Sequence, residues 1–288
     1  MQNQQILLMT PPKIEMAELK NLFFQLSSKA CNSRCKYCYI KRDMFKNEND
    51  FLDIEKIKYA LAFVKNLSLY SIYLTGGEPL LHPEFNQILR MCLKIANTTV
   101  MSNGIMINDK KARFLRKIDD ESEYETIFRI SLDSVNELEN DQYRGRGSFR
   151  KAVSAITSLL KYEFNPIISV VNYQNKSRDE IFSEFRNYFS KRDFIIEDIN
   201  IKIIPYFSFN QGCQEIDAKK EISPKMLDCS NSRIVSSNGV YSCPMLVNDY
   251  RARLGSNIND CSKVSYLDCE MCNICINSIN KAMANDWM

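Results

Sequence analysis

The chain has 288 residues, 45% of them hydrophobic, and its 38 basic and 35 acidic side chains leave a net charge of +3. No Lys/Arg block marks a nucleic-acid or membrane-surface partner, and no stretch reaches the roughly 18 apolar residues of a membrane span. Eleven cysteines stand beside one histidine, His82, which removes most catalytic zinc sites and the facial-triad iron sites, since both need several imidazoles.

Residues 1–13 lack a basic segment followed by an apolar run, so no signal peptide is expected and a cytoplasmic location is. Cysteines in that compartment serve metal or redox chemistry more often than disulfides. From residue 22 onward short apolar runs alternate with amphipathic ones. Residues 22–27 (LFFQLS) predict a strand, and 53–67 a helix with Ile54, Ile57, Leu61 and Val64 at helical spacing. Strand 71–75 (SIYLT) precedes a helix over 84–95, and strand 98–102 (TTVMS) a helix over 109–118. Strand 128–132 (FRISL) precedes a helix over 149–161; strands 167–171 (IISVV) and 199–204 (INIKII) flank a helix over 178–189. These are β-then-α steps with strands apolar on both faces, the mark of a parallel sheet. A doubly wound open sheet and a partial α/β barrel both carry this order.

Beyond Pro205 the texture changes. Gly, Asn, Ser and Cys become frequent, and seven of the eleven cysteines lie between Cys213 and Cys275. The expected organisation is an N-terminal segment over 1–20, a core domain over 21–205 and a Cys-rich domain over 206–288.

Directly after the first strand comes Cys31-Asn-Ser-Arg-Cys35-Lys-Tyr-Cys38. Three thiolates on one loop can hold three corners of a four-iron cubane, leaving one iron open for a ligand. A zinc knuckle would need a fourth Cys or His nearby, and none occurs between Cys38 and His82. Thr75-Gly76-Gly77-Glu78-Pro79 ends the second predicted strand. Its glycines allow close backbone approach, Glu78 offers a carboxylate and Pro79 stiffens the exit.

CxxxCxxC with an aromatic before its last cysteine, followed by GGEP at the next strand end, resembles the radical S-adenosylmethionine superfamily. The resemblance covers roughly residues 20–205 and implies a partial (β/α)6 barrel. It implies a [4Fe-4S] cluster held by Cys31, Cys35 and Cys38, and S-adenosylmethionine chelating the open iron. One electron would then split the sulfonium to a 5′-deoxyadenosyl radical, which abstracts hydrogen from a substrate. By the same likeness Tyr37 lines the adenine site, and Gly76, Gly77, Glu78 and Pro79 hold the methionyl ammonium. Ser102, Asn103, Ser131 and Asp133, with Asn172 behind them, contact ribose or carboxylate. Asp133 read singly is as well a helix cap, and Asn103-Gly104 a turn. Residues 143–147 (YRGRG) resemble a segment common in relatives but read more simply as a solvated loop. His82 reads as a packed loop residue and Cys92 as a small buried side chain.

In the tail, Cys229 and Cys243 flank two predicted strands, and Cys269-Glu-Met-Cys272-Asn-Ile-Cys275 follows. The layout suits a second cluster, and a four-cysteine zinc ribbon shares it. It resembles the SPASM and twitch extensions that bind auxiliary four-iron clusters. A full SPASM set takes about eight cysteines; seven are present, and the last run is spaced differently. One auxiliary [4Fe-4S] cluster is therefore expected on Cys229, Cys243, Cys269 and Cys272, with Cys275 able to substitute. Cys213 is a candidate hydrogen-atom donor to a substrate radical.

The resemblance implies a peptide- or protein-modifying enzyme served by an electron donor such as flavodoxin or ferredoxin. Small-molecule chemistry is the alternative. Against the molybdopterin-precursor GTP cyclase stand Tyr73 where that enzyme carries an arginine, and an ending at Trp287-Met288 rather than in paired glycines. A zinc-stabilised binding protein without catalysis is the third reading.

Overall fold

The computed structural model describes residues 12–40, 51–197, 200–206, 227–247, 249–267, 272, 275 and 276. A short strand β1 (Lys13–Glu15) leads into β2 (Asn21–Gln25), α1 (Ile54–Val64), β3 (Ser71–Thr75), α2 (Phe85–Cys92) and β4 (Thr98–Ser102). Then come α3 (Asp109–Asp120), β5 (Thr126–Ser131), α4 (Glu137–Arg144), α5 (Ser148–Lys161), β6 (Ile167–Asn172), α6 (Arg178–Ser190) and β7 (Ile201–Pro205). The tail adds β8 (Ser232–Ser236), β9 (Gly239–Tyr241), β10 (Arg253–Gly255) and β11 (Val264–Tyr266).

Helix starts are set by local chemistry. Asp53 and Asn108 accept from backbone N–H groups of the first turns of α1 and α3, and Ser177 with Glu180 closes a capping box on α6. The strands β2 to β7 lie side by side in chain order, all parallel. A doubly wound sheet reverses its strand order at a switch point; no reversal occurs across these six. Right-handed crossovers then carry the connecting helices to one face.

Alternation along each strand separates the two faces. Leu22, Phe24, Ile72, Leu74, Val100, Phe128, Ile130, Ile168 and Val170 are buried beneath the helices in one continuous core. Each such Leu or Phe contributes about 1.5–3 kcal/mol over leaving it exposed. The helix-free face carries Phe23, Tyr73, Met101, Arg129, Ser131 and Ser169 instead.

The sheet does not stop where the composition changes. β8 pairs parallel with β2, in the register Asn21↔Ser232 to Phe24↔Val235, and β9 and β10 continue outward antiparallel. Val235 and Val240 join the main core, while Ile234 and Tyr241 join a second apolar cluster with Ile14, Leu227, Leu246 and Leu267. β1 and β11 pair antiparallel in a separate two-stranded ribbon. Among the described residues no helix is long and apolar enough to cross a membrane.

Candidate active site

The front cysteine loop leaves the C-terminal end of β2 and is clamped against the loop after β3. Gly77 N–H donates to Ser27 O and Glu78 N–H to Ala30 O, at 2.9 and 2.8 Å. A Cβ on Gly76, whose φ is +125°, would lie 2.4 Å from Ser27 O, and one on Gly77 2.3 Å from Ala30 O. Both glycines are therefore required by the approach of one backbone to another. Pro79 is buried and opens a short 3-10 turn, Pro79–Leu81.

Glu78 is buried, and its carboxylate accepts from Ser102 Oγ (2.8 Å), the Asn103 N–H (2.9 Å) and the Leu80 N–H (3.3 Å). A carboxylate offers about four acceptor positions, so one is left for an ammonium. Burial pushes its pKa up to about 7, against the pull of those donors. Ser102 also accepts the Gly104 N–H. Asn103 Nδ2 donates to Asn32 Oδ1 at 2.8 Å and approaches Cys31 Sγ at 3.8 Å, tying the end of β4 to the cysteines.

The three thiols act electrostatically on one another, and burial raises the pKa of Cys31 and Cys38. Ser33 Oγ lies 3.3 Å from Cys35 Sγ and donates to Arg144 O at 2.9 Å. An amide donor beside sulfur, and thiols that share one electrostatic neighbourhood, suit a cluster's three-cysteine edge.

Tyr37, Asp133 and Arg144 form one unit in which Asp133 and Arg144 are buried and Tyr37 is half-buried. Tyr37 OH donates to Asp133 Oδ2, and Arg144 Nη1 donates to Tyr37 Oη. Arg144 and Asp133 form an ion pair at 3.4 Å with side chains only 8% and 0% exposed. Asp133 Oδ1 accepts the Val171 N–H, and the Asp133 N–H donates to Asn140 Oδ1, both at 3.0 Å. Asp133 thus anchors the loop, β6 and α4 together and is no helix cap. The solvated-loop reading of residues 143–147 is corrected at Arg144, which is buried because it neutralises Asp133 and approaches the cysteines. A charged residue followed by Gly145 was the available signal.

Ser131 Oγ has no hydrogen-bond partner among the described residues and is not sealed from solvent, so it is free to meet a ligand. Asn172 closes its own loop, bonding both the N–H and the C=O of Lys176. His82 is a packed bridge: Nδ1 accepts the Glu84 N–H and Nε2 donates to Leu52 O. Cys92 is fully buried on α2, where burial raises its pKa.

In the tail, Cys229, Cys243, Cys272 and Cys275 all pack on the second apolar cluster, beside Phe23. Cys243 feels the charges of the other three, and Cys229 and Cys275 feel that of Cys272. Burial raises the pKa of Cys243 and pushes Cys229 up to about 11 and Cys275 up to about 12. Thiols buried this way ionise when a cationic core compensates them. Cys261 packs on the main core instead, apart from these four. Tyr39, which sequence reasoning passed over, feels both Cys38 and Cys243, so the two thiol groups share one side of the sheet. Among the described residues no three His, Cys, Asp or Glu side chains are gathered tightly enough for a single metal ion. Cys213 and Cys269 lie outside the described residues.

Among curated relatives, the antilisterial bacteriocin subtilosin biosynthesis protein AlbA of Bacillus subtilis is 30% identical over 138 residues, 47% of this chain and 29% of AlbA. A probable GTP 3′,8-cyclase of Archaeoglobus fulgidus is 24% identical over 223 residues, 75% of this chain and 72% of the cyclase. Two further GTP 3′,8-cyclases are matched over 54% and 43% of their length. Among solved structures, native anSMEcpe with bound AdoMet superposes with a TM-score of 0.63 at 19% identity, covering 84% of this chain and 78% of that one. The family model of the Radical SAM superfamily matches residues 26–185, from the end of β2 into α6. The chain belongs to the radical SAM superfamily and is a radical SAM enzyme.

Proposed function

We propose that this enzyme modifies a side chain of a peptide or protein, using S-adenosylmethionine at the front cysteine loop and an auxiliary four-iron cluster in the tail. When bound, a [4Fe-4S] cluster with one open iron supplies the electron that splits S-adenosylmethionine. Cys31, Cys35 and Cys38 would hold that cluster, with the Asn103 amide directing a polar hydrogen toward the Cys31 sulfur. Glu78 takes the methionyl ammonium in its remaining acceptor position, and Ser131 offers its hydroxyl to the ligand. Tyr37 presents its ring to the adenine while Asp133 and Arg144 hold the loop rigid. The six parallel strands form the partial (β/α)6 barrel around this site, and a flavodoxin or ferredoxin delivers the electron.

The observation that carries the substrate class is the convergence of Cys229, Cys243, Cys272 and Cys275 on one apolar cluster of the tail. We read residues 206–288 as a SPASM/twitch-like unit, with Cys269 as a further ligand and Cys213 as a hydrogen donor. AlbA is a bacteriocin biosynthesis protein, and anSMEcpe is also known with AdoMet and the Cp18Cys peptide. Anaerobic incubation with candidate peptides is expected to yield 5′-deoxyadenosine in proportion to a mass or stereochemical change in the peptide. Cleavage that no peptide accelerates would overturn the reading.

A second reading, small-molecule chemistry, draws on the Archaeoglobus cyclase match, which runs over three quarters of the chain. Incubation with GTP discriminates: a cyclised nucleotide product favours it.

A further inference from the structure

Among the described residues, Arg129 has no anion within ion-pair distance. It lies on β5, two residues before Ser131, on the helix-free face. Its Nε and Nη2 both donate to Ser169 Oγ of β6, at 3.2 and 3.1 Å. Among the described residues it forms no ion pair, its Nη1 has no partner, and that nitrogen is not sealed from solvent. Burial lowers its pKa, with Tyr73 and Asp228 pulling the other way. Asp228 is exposed and stands beyond ion-pair distance, so it does not neutralise the guanidinium.

The surroundings give this cation a purpose. Two residues along a parallel strand span about 6.6 Å, so Arg129 lies that far below Ser131 and the cofactor end of the sheet. Tyr73 faces it from β3 and stacks on Phe23 of β2, with ring centroids 4.3 Å apart. Phe23 in turn packs against the cluster that holds the tail cysteines. A strip of one face thus runs from Ser131 through Arg129 and the aromatic pair to the second thiol group. A molecule acted on between two redox sites has to occupy that strip.

We infer that Arg129 receives a carboxylate of the substrate, whose apolar part lies along the Phe23–Tyr73 stack. With one guanidinium edge taken by Ser169, the other presents two N–H groups, which match one carboxylate. Among the described residues, Lys202, opposite Ser169 on β7 and exposed, is a further cation on this face. A polyphosphate carries more charge than this pair offsets. The inference rests on the peptide reading, in which an acidic side chain or a chain terminus supplies the carboxylate.

Calorimetric titration of the anaerobically reconstituted enzyme with S-adenosylmethionine tests it, using N-acetylphenylalanine, its carboxamide and pyrophosphate as probes. The carboxylate is expected to bind wild type at least about tenfold tighter than the amide, equivalent to about 1.4 kcal/mol. Arg129→Gln should erase that preference and Arg129→Lys retain part of it. Equal binding of the two probes, binding of neither, a preference that survives Arg129→Gln, or pyrophosphate binding tighter than the carboxylate would each overturn it. Should Arg129→Gln not fold, the carboxylate–amide comparison in wild type decides alone. Failure of the peptide reading shows elsewhere, as the absence of peptide-dependent 5′-deoxyadenosine.

Discussion

Cys31, Cys35 and Cys38 come from a single loop, whereas Cys229, Cys243, Cys272 and Cys275 converge from separate stretches of the tail. Polar groups from β4, α4 and the loop itself reach the front sulfurs or their backbone. The tail thiols pack on apolar side chains: Ile14, Leu227, Ile234, Tyr241 and Leu246. Polar neighbours leave charge on a site in exchange with a bound ligand, while apolar neighbours favour a fully ligated core. The difference teaches that the front group is tied into a polar network while the tail group rests against apolar side chains.

The comparison can be broken most decisively at the front. Replacing any of Cys31, Cys35 or Cys38 with Ala is expected to reduce 5′-deoxyadenosine formation to background, read by chromatography of anaerobic reactions. Retained cleavage would mean the thiols do not act as a set. At the tail, Cys229→Ser or Cys275→Ser should spare S-adenosylmethionine cleavage while abolishing substrate turnover. Iron content should fall from about eight to about four atoms per chain. If the tail variants lose cleavage as completely as the front ones, the two groups are not separate sites.

Arg144→Ala sharpens the comparison by removing polar wiring without touching a thiol. It leaves the buried Asp133 carboxylate unpaired, at a cost of about 3–5 kcal/mol measured by denaturant unfolding. Lys at this position should recover part of the loss, because both Tyr37 and Asp133 are contacted by the single nitrogen Nη1 and an ammonium carries three donors. The smallest effect concerns pH. Burial sets Glu78 near 7, so below that value it is neutral and attracts an ammonium weakly. S-adenosylmethionine binding should therefore tighten as pH rises through about 7, by at most tenfold per unit, until the ligand's amine loses its own proton near about 8. Glu78→Gln should flatten the rise; a rise that persists would place the titrating group elsewhere.

Much of this was legible in the chain. The strands Ser71–Thr75 and Thr98–Ser102 lie where apolar runs predict them, because both ends are marked by polar or turn-forming residues. α4 was not legible: its sequence ELENDQYR has one large aliphatic residue, Leu138, which is 82% exposed. What α4 buries is Asn140 and Arg144, polar groups that hydrophobic periodicity does not register. The pairing of β8 with β2 joins residues more than 200 positions apart, so no local signal announced that the sheet continues into the Cys-rich tail. The front cysteines were readable because their spacing is local. For the tail, no local spacing joins Cys229 and Cys243 to Cys272 and Cys275; their grouping came from a resemblance, and the fold packs all four on one apolar cluster. Arg129 had a signal that went unused: a charge in the middle of the apolar run FRISL asks for a partner.

The central claim is that three front thiols hold a four-iron core whose remaining iron takes S-adenosylmethionine. Electron–nuclear double resonance on the reduced Cys229→Ser variant, with S-adenosylmethionine labelled with ¹⁵N at its amine, tests it directly. A ¹⁵N coupling that appears with the ligand and vanishes in Cys35→Ala is the expected result. An iron–sulfur signal indifferent to the label, or no such signal at all, would contradict the account.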